Sequence, residues 1–246
     1  MRRLLIRPGA IGDFILSLPA MEALRTGYTE VWCSGQNVPL ARFADSAKSI
    51  ASAGLDRLGF LPSDDVVARL RSFDSIVSWY GTNRPEFQML TGDLKLPIRF
   101  LPALPDGTCH AVDFYNAQAR TLGVRPASRF PSIPCPAVPR TFAALHPFAS
   151  SVAKRTPLEV FSRAAQQLSH RMPVHWLRGP EEELEGALQI PDLYDLACWL
   201  RGARIFVGND SGISHLAAAA GTPVLALFRN SSARIWSPRA HMLGRP

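Results

Sequence analysis

Ile205-Phe206-Val207-Gly208-Asn209-Asp210-Ser211-Gly212-Ile213-Ser214-His215 runs from three apolar residues, through a glycine turn, into Leu216-Ala217-Ala218-Ala219-Ala220. The apolar triplet predicts a strand, and Ile213 to Ala220 a helix that Gly221 closes. The helix interior is small and apolar, as suits a helix packed closely on a sheet. Asp210 or Ser211 is placed to cap it. Ser211, Gly212 and Ser214 leave the first-turn amides bare, which suits a phosphate or diphosphate. His215, one turn in, reads either as a structural histidine or as a ligand contact. A Ser-His-Asp nucleophile does not fit, because the elbow needs Gly-x-Ser-x-Gly and Ser211 comes one place late.

The same grammar opens the chain. Leu4-Leu5-Ile6 leads into Arg7-Pro8-Gly9-Ala10-Ile11-Gly12-Asp13 and then a helical stripe of Phe14, Ile15, Leu18, Met21 and Leu24, with Pro19 as a kink. Gly9 and Gly12 let the backbone turn tightly and let a ligand approach it. Asp13 reads either as an N-cap or as a carboxylate, kept ionised by the helix terminus, that accepts a proton. Arg7 breaks a Gly-x-Gly-x-x-Gly pattern and no acidic residue stands where it would grip a ribose, so nicotinamide binding is a weak reading.

Between these ends the alternation persists. Val31-Trp32-Cys33, Leu58-Gly59-Phe60-Leu61 and Ile76-Val77-Ser78-Trp79 read as strands, with helices at Val66 to Phe73 and Ala111 to Leu122. A stretch with Pro126, Pro131, Pro134, Pro136 and Pro139 reads as an extended linker, and the domain boundary is expected near residue 138. Phe142 to Leu145, Val174 to Leu177 and Val224 to Phe228 are further strands. Helices are expected from Pro157, as N1 residue, onward, over Glu181 to Leu188, and around Leu193, Leu196 and Leu200. The expectation is an α/β chain with parallel sheets in two halves, 1–138 and 139–246. The loop His146 to Pro157 offers Ser150, Ser151, Lys154 and Arg155 to phosphate, and the segment Arg178 to Glu183, after the next strand, offers Glu181, Glu182 or Glu183 to ribose hydroxyls or to the helix dipole. All follow strand C-termini in one half, so they should converge on one rim.

Composition narrows the class. The 246 residues are 47% apolar and 19% charged, with 21 prolines, which supports a sizeable core and excludes a disordered tail. No apolar run is long enough to span a bilayer, and Arg7, Pro8 and Asp13 interrupt any signal-peptide core. Cys33, Cys109, Cys135 and Cys198 form no Cys-x-x-Cys, which argues against a zinc site or disulfide scaffold and for the cytoplasm. Net charge is +7, spread over both halves without a long basic run. That disfavours a nucleic-acid arm and suits anionic small ligands or an acidic membrane surface. Arg84 and Arg99 are candidates for an anionic acceptor or simply a solvated face.

Ile6 to Asp13 with Leu16-Ser17-Leu18-Pro19-Ala20, and Val207 to Gly212 with Ser214-His215-Leu216-Ala217-Ala218 and Gly221-Thr222-Pro223, resemble the opening and closing signatures of glycosyltransferase family 9. These are the ADP-heptose:lipopolysaccharide heptosyltransferases and their relatives. Lys154 before Pro157, and His110-Ala111-Val112 with Leu122-Gly123, extend the resemblance over nearly the whole chain. Phe148, Thr156 and Arg229 depart from the family pattern, and the chain stops at Pro246, earlier than that pattern, so a shortened or divergent member is expected.

The resemblance implies a GT-B architecture, two Rossmann-like domains across a cleft, with the acceptor on the N-terminal side and the nucleotide sugar on the C-terminal side. It implies Asp13 as general base, and Lys154, Ser211, Gly212 and His215 at the donor diphosphate and proximal sugar. Asp210 would shape that loop or contact the sugar, and Glu182 would take the ribose. The implied reaction is one inverting displacement, from a donor such as ADP-heptose to a cell-envelope or lipopolysaccharide-core acceptor. No cofactor is obligatory. The expected partners are the nucleotide sugar and an anionic glycolipid or oligosaccharide, at the cytoplasmic face of the inner membrane. A catalytically weak nucleotide-sugar-binding module is the alternative.

Overall fold

The computed structural model describes residues 1–55, 58 and 64–239. The first half lays down β1 (Arg2–Arg7), α1 (Ile11–Ala23), β2 (Tyr28–Cys33) and β3 (Ser46–Ser49). It continues with α2 (Asp64–Arg71), β4 (Ser75–Ser78), α3 (Pro85–Asp93), β5 (Ile98–Phe100) and α4 (Ala111–Thr121). The second half adds β6 (Phe142–His146), α5 (Leu158–Ser169), β7 (Val174–Trp176) and α6 (Leu193–Leu200). It ends with β8 (Ala203–Asn209), α7 (Gly212–Ala219), β9 (Val224–Leu227) and α8 (Ala233–Trp236).

Two parallel sheets result, ordered β3-β2-β1-β4-β5 and β7-β6-β8-β9. β1 lies at the centre of the first, with Leu5 opposite Val31 on one side and Val77 on the other. Its apolar run is dictated by that position, since Leu4, Leu5 and Ile6 are fully buried between layers. In the second sheet Leu145 of β6 lies opposite Trp176 and Val207. Each sheet reverses its winding direction beside its first strand, between β1 and β4 and between β6 and β8. Parallel sheets open a crevice at such switch points, beyond the strand C-termini. The Gly9 to Asp13 turn leaves β1 there. The Asp210 to Gly212 turn leaves β8 there.

The halves meet through α1 and α7. Phe14 to Met21 of α1 are buried on all sides, because the helix is covered by its own sheet, by α4 and by α7. One apolar cluster therefore runs from Leu5 and Leu16 through to Leu216 and Ala217. A second set of contacts comes from the chain end. Arg239 makes two bonds to Asp113 of α4 (3.0 and 2.7 Å), Arg234 donates to the Thr108 carbonyl (3.1 Å), and His110 bonds the Ser237 carbonyl (2.9 Å). The segment after β9 thus straps the second half to the first.

Several expectations change. Glu181 to Leu188 is not a helix: the Glu182 carboxylate folds back onto the Gly179 N–H, Gly186 takes a positive φ of 71°, and Leu188 bridges to Leu177. Pro157 is the N-cap of α5 rather than its first helical residue. The Pro-rich segment is irregular but not a free linker, since Ile133 is buried and its N–H donates to the Ala219 carbonyl of α7 (2.9 Å). The strand expected at Leu58 to Leu61 falls largely outside the described residues. β3, α3 and β5 were not foreseen.

Candidate active site

The β1–α1 turn is shaped by a buried cation. Arg7, 1% exposed, donates from Nε to Ser17 Oγ (3.0 Å), from Nη1 to the Pro8 carbonyl (3.0 Å), and from Nη2 to the Asp13 carbonyl (3.0 Å) and Tyr115 Oη (2.9 Å). It locks the turn to α4 without engaging a carboxylate. Gly9 makes the bend possible with φ +115°, and its carbonyl accepts from Ser34 and Asn37. Gly9 lines neither of the cavities described below; its role is the backbone turn. The N-cap of α1 is Ala10, and no side chain caps the helix. Asp13 is therefore not the capping residue that its position also suggested. It is the third helical residue, half-buried, and its carboxylate accepts no hydrogen bond from the described residues.

The β8–α7 turn mirrors it with different groups. Ser211, not Asp210, is the N-cap, but its hydroxyl makes no capping bond and is buried without a partner. Asn209 holds the turn to the loop after β6, donating to the Pro147 carbonyl (2.7 Å) and accepting from the Thr156 N–H (3.0 Å). Asp210, 5% exposed, receives Lys154 Nζ at 2.8 Å and the Ser231 hydroxyl. His215 is buried and its Nδ1 has no partner; burial pushes its pKa down to about 4, against the attraction of Asp210. The ring is neutral at neutral pH.

Two glycines bring these termini together. A Cβ on Gly212 would stand 2.7 Å from Ile11 Cβ and 3.1 Å from the Gly12 amide nitrogen, and one on Gly12 would stand 2.9 Å from His215 Cδ2. Only glycine permits this crossing, which puts Asp13 and Ser211 on one crevice. A cavity of about 280 Å³ lies over it, lined by Asp13, Lys154, Asp210, Ser211 and His215, with Leu104 and Trp236 also in its lining. A second cavity, about 400 Å³, continues past Ser150, Ser211 and Gly212, which line both. Its far wall is apolar, with Leu177, Ile190, Leu193 and Ile213, and its polar edge carries Glu182 and His146. That size and that mix of an apolar wall with few polar groups are typical of a small-molecule site.

Glu182 and His146 form a unit that the sequence left unseen. Burial pushes Glu182 up, but hydrogen bonds from His146 Nε2 (3.0 Å) and the Gly179 N–H outweigh it and hold the carboxyl below its ordinary value. Both bonds go to one oxygen, and the other stays open. His146 Nδ1 is buried without a partner. The signal was available, since His146 ends β6 at the same rim. Ser150 lines both cavities; Ser151 lines neither and instead closes a turn onto Lys154. Arg84 stacks on Tyr80, away from both cavities, and Arg99 lines neither.

The family model of glycosyltransferase family 9 (heptosyltransferase) matches residues 108–244, more than half of the sequence. The chain belongs to glycosyltransferase family 9. No curated protein sequence matches it. Among solved structures, the family 9 glycosyl transferase from Veillonella parvula DSM 2008 superposes with a TM-score of 0.76 at 18% identity, over 98% of this chain and 84% of that one. E. coli ADP-heptose lps heptosyltransferase II gives 0.72 at 19%, over 98% and 88%, and E. coli heptosyltransferase WaaC with ADP gives 0.71 at 16%, over 98% and 91%. The architecture of this glycosyltransferase is GT-B, two parallel sheets facing a crevice.

The two helix termini at the crevice carry unlike groups. One terminus offers a free carboxylate. The other offers bare amides, an unpartnered hydroxyl and a nearby lysine. Among the described residues no helix is long and apolar enough to cross a membrane, and no group of three or more His, Cys, Asp or Glu is arranged to hold a metal ion.

Proposed function

We propose that this chain transfers a sugar, heptose in the first instance, from a nucleoside-diphosphate sugar to a hydroxyl of a cell-envelope acceptor of the lipopolysaccharide-core type. Residues 139–246 take the donor and residues 1–138 the acceptor. The observation that carries the reading is the pair of cavities joined at Ser211 and Gly212, with an unengaged Asp13 in one and an apolar, glutamate-edged pocket in the other. The E. coli WaaC structures hold ADP and ADP-2-deoxy-2-fluoro heptose, which supports ADP as the nucleotide.

In this reading the base lies against Leu177, Ile190 and Leu193, and the free oxygen of Glu182 accepts from the ribose. The diphosphate sits on the α7 amides and Ser211 Oγ. Lys154, already at 2.8 Å from Asp210, supplies the cation, and neutral His215 adds no charge to repel the donor sugar's electron-poor carbon. Asp13 removes the proton from the acceptor hydroxyl as its oxygen attacks the anomeric carbon. The bond from that carbon to the diphosphate oxygen breaks with its electron pair. The negative charge that develops there is met by fixed dipoles and Lys154, which need no reorganisation. Attack on the face opposite the leaving group inverts the anomeric centre.

A thermal-shift panel of nucleotide sugars tests this. ADP and ADP-heptose should raise the melting temperature in a concentration-dependent way, and UDP- and GDP-sugars should not. Product from an α- or β-linked donor should carry the opposite configuration by NMR. Retention, or no shift with any nucleotide, would refute the reading.

A further inference from the structure

The cavity that holds Asp13 has one apolar side that the donor does not need. Leu16, Leu104, which is 62% exposed, and Trp236 all belong to its lining. A leucine so exposed at the rim of a catalytic crevice has apolar surface to cover. The Trp236 indole N–H makes no hydrogen bond with the described residues, and it is not buried. An apolar ring with a free donor at its edge, in a cavity that also holds the unengaged Asp13 carboxylate, is a surface for a pyranose. Its axial C–H face lies on the ring, and its hydroxyls reach the polar edge.

Trp236 is also held in place from both sides. Before it, Ser231 bonds Asp210 on the donor side and Arg234 bonds the Thr108 carbonyl of the first half. After it, the Ser237 carbonyl accepts from His110 Nε2 at 2.9 Å. His110 Nδ1 accepts from the Val112 N–H at 3.2 Å, which fixes the tautomer that can donate to Ser237. Arg239 then closes on Asp113 with two bonds. Trp236 also packs, partly buried, against the apolar cluster that the two halves share. That packing and the five bonds made by residues 231–239 give Trp236 a defined position over the crevice.

We propose that Trp236, with Leu104 in the same cavity lining, forms the wall on which the acceptor's reacting sugar ring stacks, so that a ring hydroxyl is presented to Asp13. The proposal rests on the reading of Asp13 as the base and of the neighbouring cavity as the nucleotide site. It makes Trp236 a residue of acceptor recognition, supplied by the donor-binding half, and makes that recognition conditional on the strap being closed.

The test is calorimetric, on the full chain saturated with ADP, titrated with the deacylated core oligosaccharide of lipopolysaccharide. ADP affinity is measured first for wild type, Trp236→Ala and Trp236→Phe. All three should bind ADP within about twofold of one another, since the wall lies on the acceptor side. Trp236→Ala should lose about tenfold or more in saccharide affinity, as stacking worth about 1.4 kcal/mol requires, and Trp236→Phe should recover most of it. Melting curves check that both variants fold. Equal saccharide binding by Trp236→Ala, a Phe variant as weak as the Ala variant, or no saccharide binding by ADP-loaded wild type overturns the proposal. An ADP affinity that falls as far as the saccharide affinity reassigns the wall to the nucleotide. Absence of ADP binding by wild type refutes the functional reading itself, and is a separate result.

Discussion

The two strand-to-helix turns have one backbone design and opposite chemistry. The β1–α1 turn is tied from beneath by a buried arginine and leaves a carboxylate unengaged at the third helical position. The β8–α7 turn is tied from the side by Asn209 and leaves a hydroxyl and first-turn amides unengaged. A helix N-terminus favours negative charge. The first turn satisfies that preference with its own residue, and the second leaves it for a ligand. Two glycines then place these unlike termini against each other. The difference teaches that one fold element can present a free carboxylate or free amides according to which residue its first turn carries; the proposed function makes the one a base and the other an anion cradle.

The largest effect should come from removing the carboxylate. Asp13→Ala should lower kcat by about 10²–10⁴-fold. ADP affinity, measured by calorimetry, should stay within about twofold, because the donor cavity keeps every group. Equal loss in both would merge the two termini into one function and break the comparison.

Separating the termini comes next. Gly212→Ala forces a Cβ to within 2.7 Å of Ile11. Overpacking of this kind costs about 1–3 kcal/mol, read as a lower denaturation midpoint, and it should weaken ADP binding as well. A variant as stable and as tight as wild type would mean that the close crossing is incidental.

Lys154→Ala probes the cradle alone. A charged hydrogen bond is worth about 1.5–3 kcal/mol, so ADP affinity should fall about 10- to 100-fold while adenosine affinity holds. An equal loss for adenosine would place the lysine at the nucleoside instead.

The smallest effect is a pH dependence. The unfolded chain protonates His215 near 6.5, and the folded chain only near 4. Between these values the unfolded state binds the extra proton, so stability from this group rises with pH across that window and is flat above it. Thermal melts from pH 4 to 7 should show a shallower slope for His215→Asn than for wild type. Identical slopes would show that the histidine is not buried neutral.

Much of this was legible in the sequence because the buried parallel strands announce themselves. Leu4-Leu5-Ile6 and Ile205-Phe206-Val207 sit inside sheets covered on both faces, and each is soon followed by a glycine, Gly9 in one and Gly208 in the other. The edge strands β7 and β9 of the second sheet still show a readable apolar run, but those of the first sheet carry no such mark. Ser46-Ala47-Lys48-Ser49 is only half-buried, and Ile98-Arg99-Phe100 is three residues long, so neither β3 nor β5 has a readable pattern. The acidic run Glu181-Glu182-Glu183 looked like the first turn of a helix because carboxylates favour that place. Local hydrogen bonds to Gly179 and the distant His146 won instead, and pairing over 36 residues leaves no trace in local spacing. Trp236 was missed for a similar reason. Its position depends on bonds to Thr108, His110 and Asp113, more than a hundred residues away.

The central claim concerns where the diphosphate lies, and a crystal structure of the chain with ADP tests it most directly. The account predicts phosphate oxygens within hydrogen-bond distance of Ser211 Oγ and the Gly212 N–H, the base against Leu177 and Ile190, and the β-phosphate on the side of the crevice that faces Asp13. Nucleotide bound elsewhere, or with its phosphates pointing away from the start of α7, would contradict it.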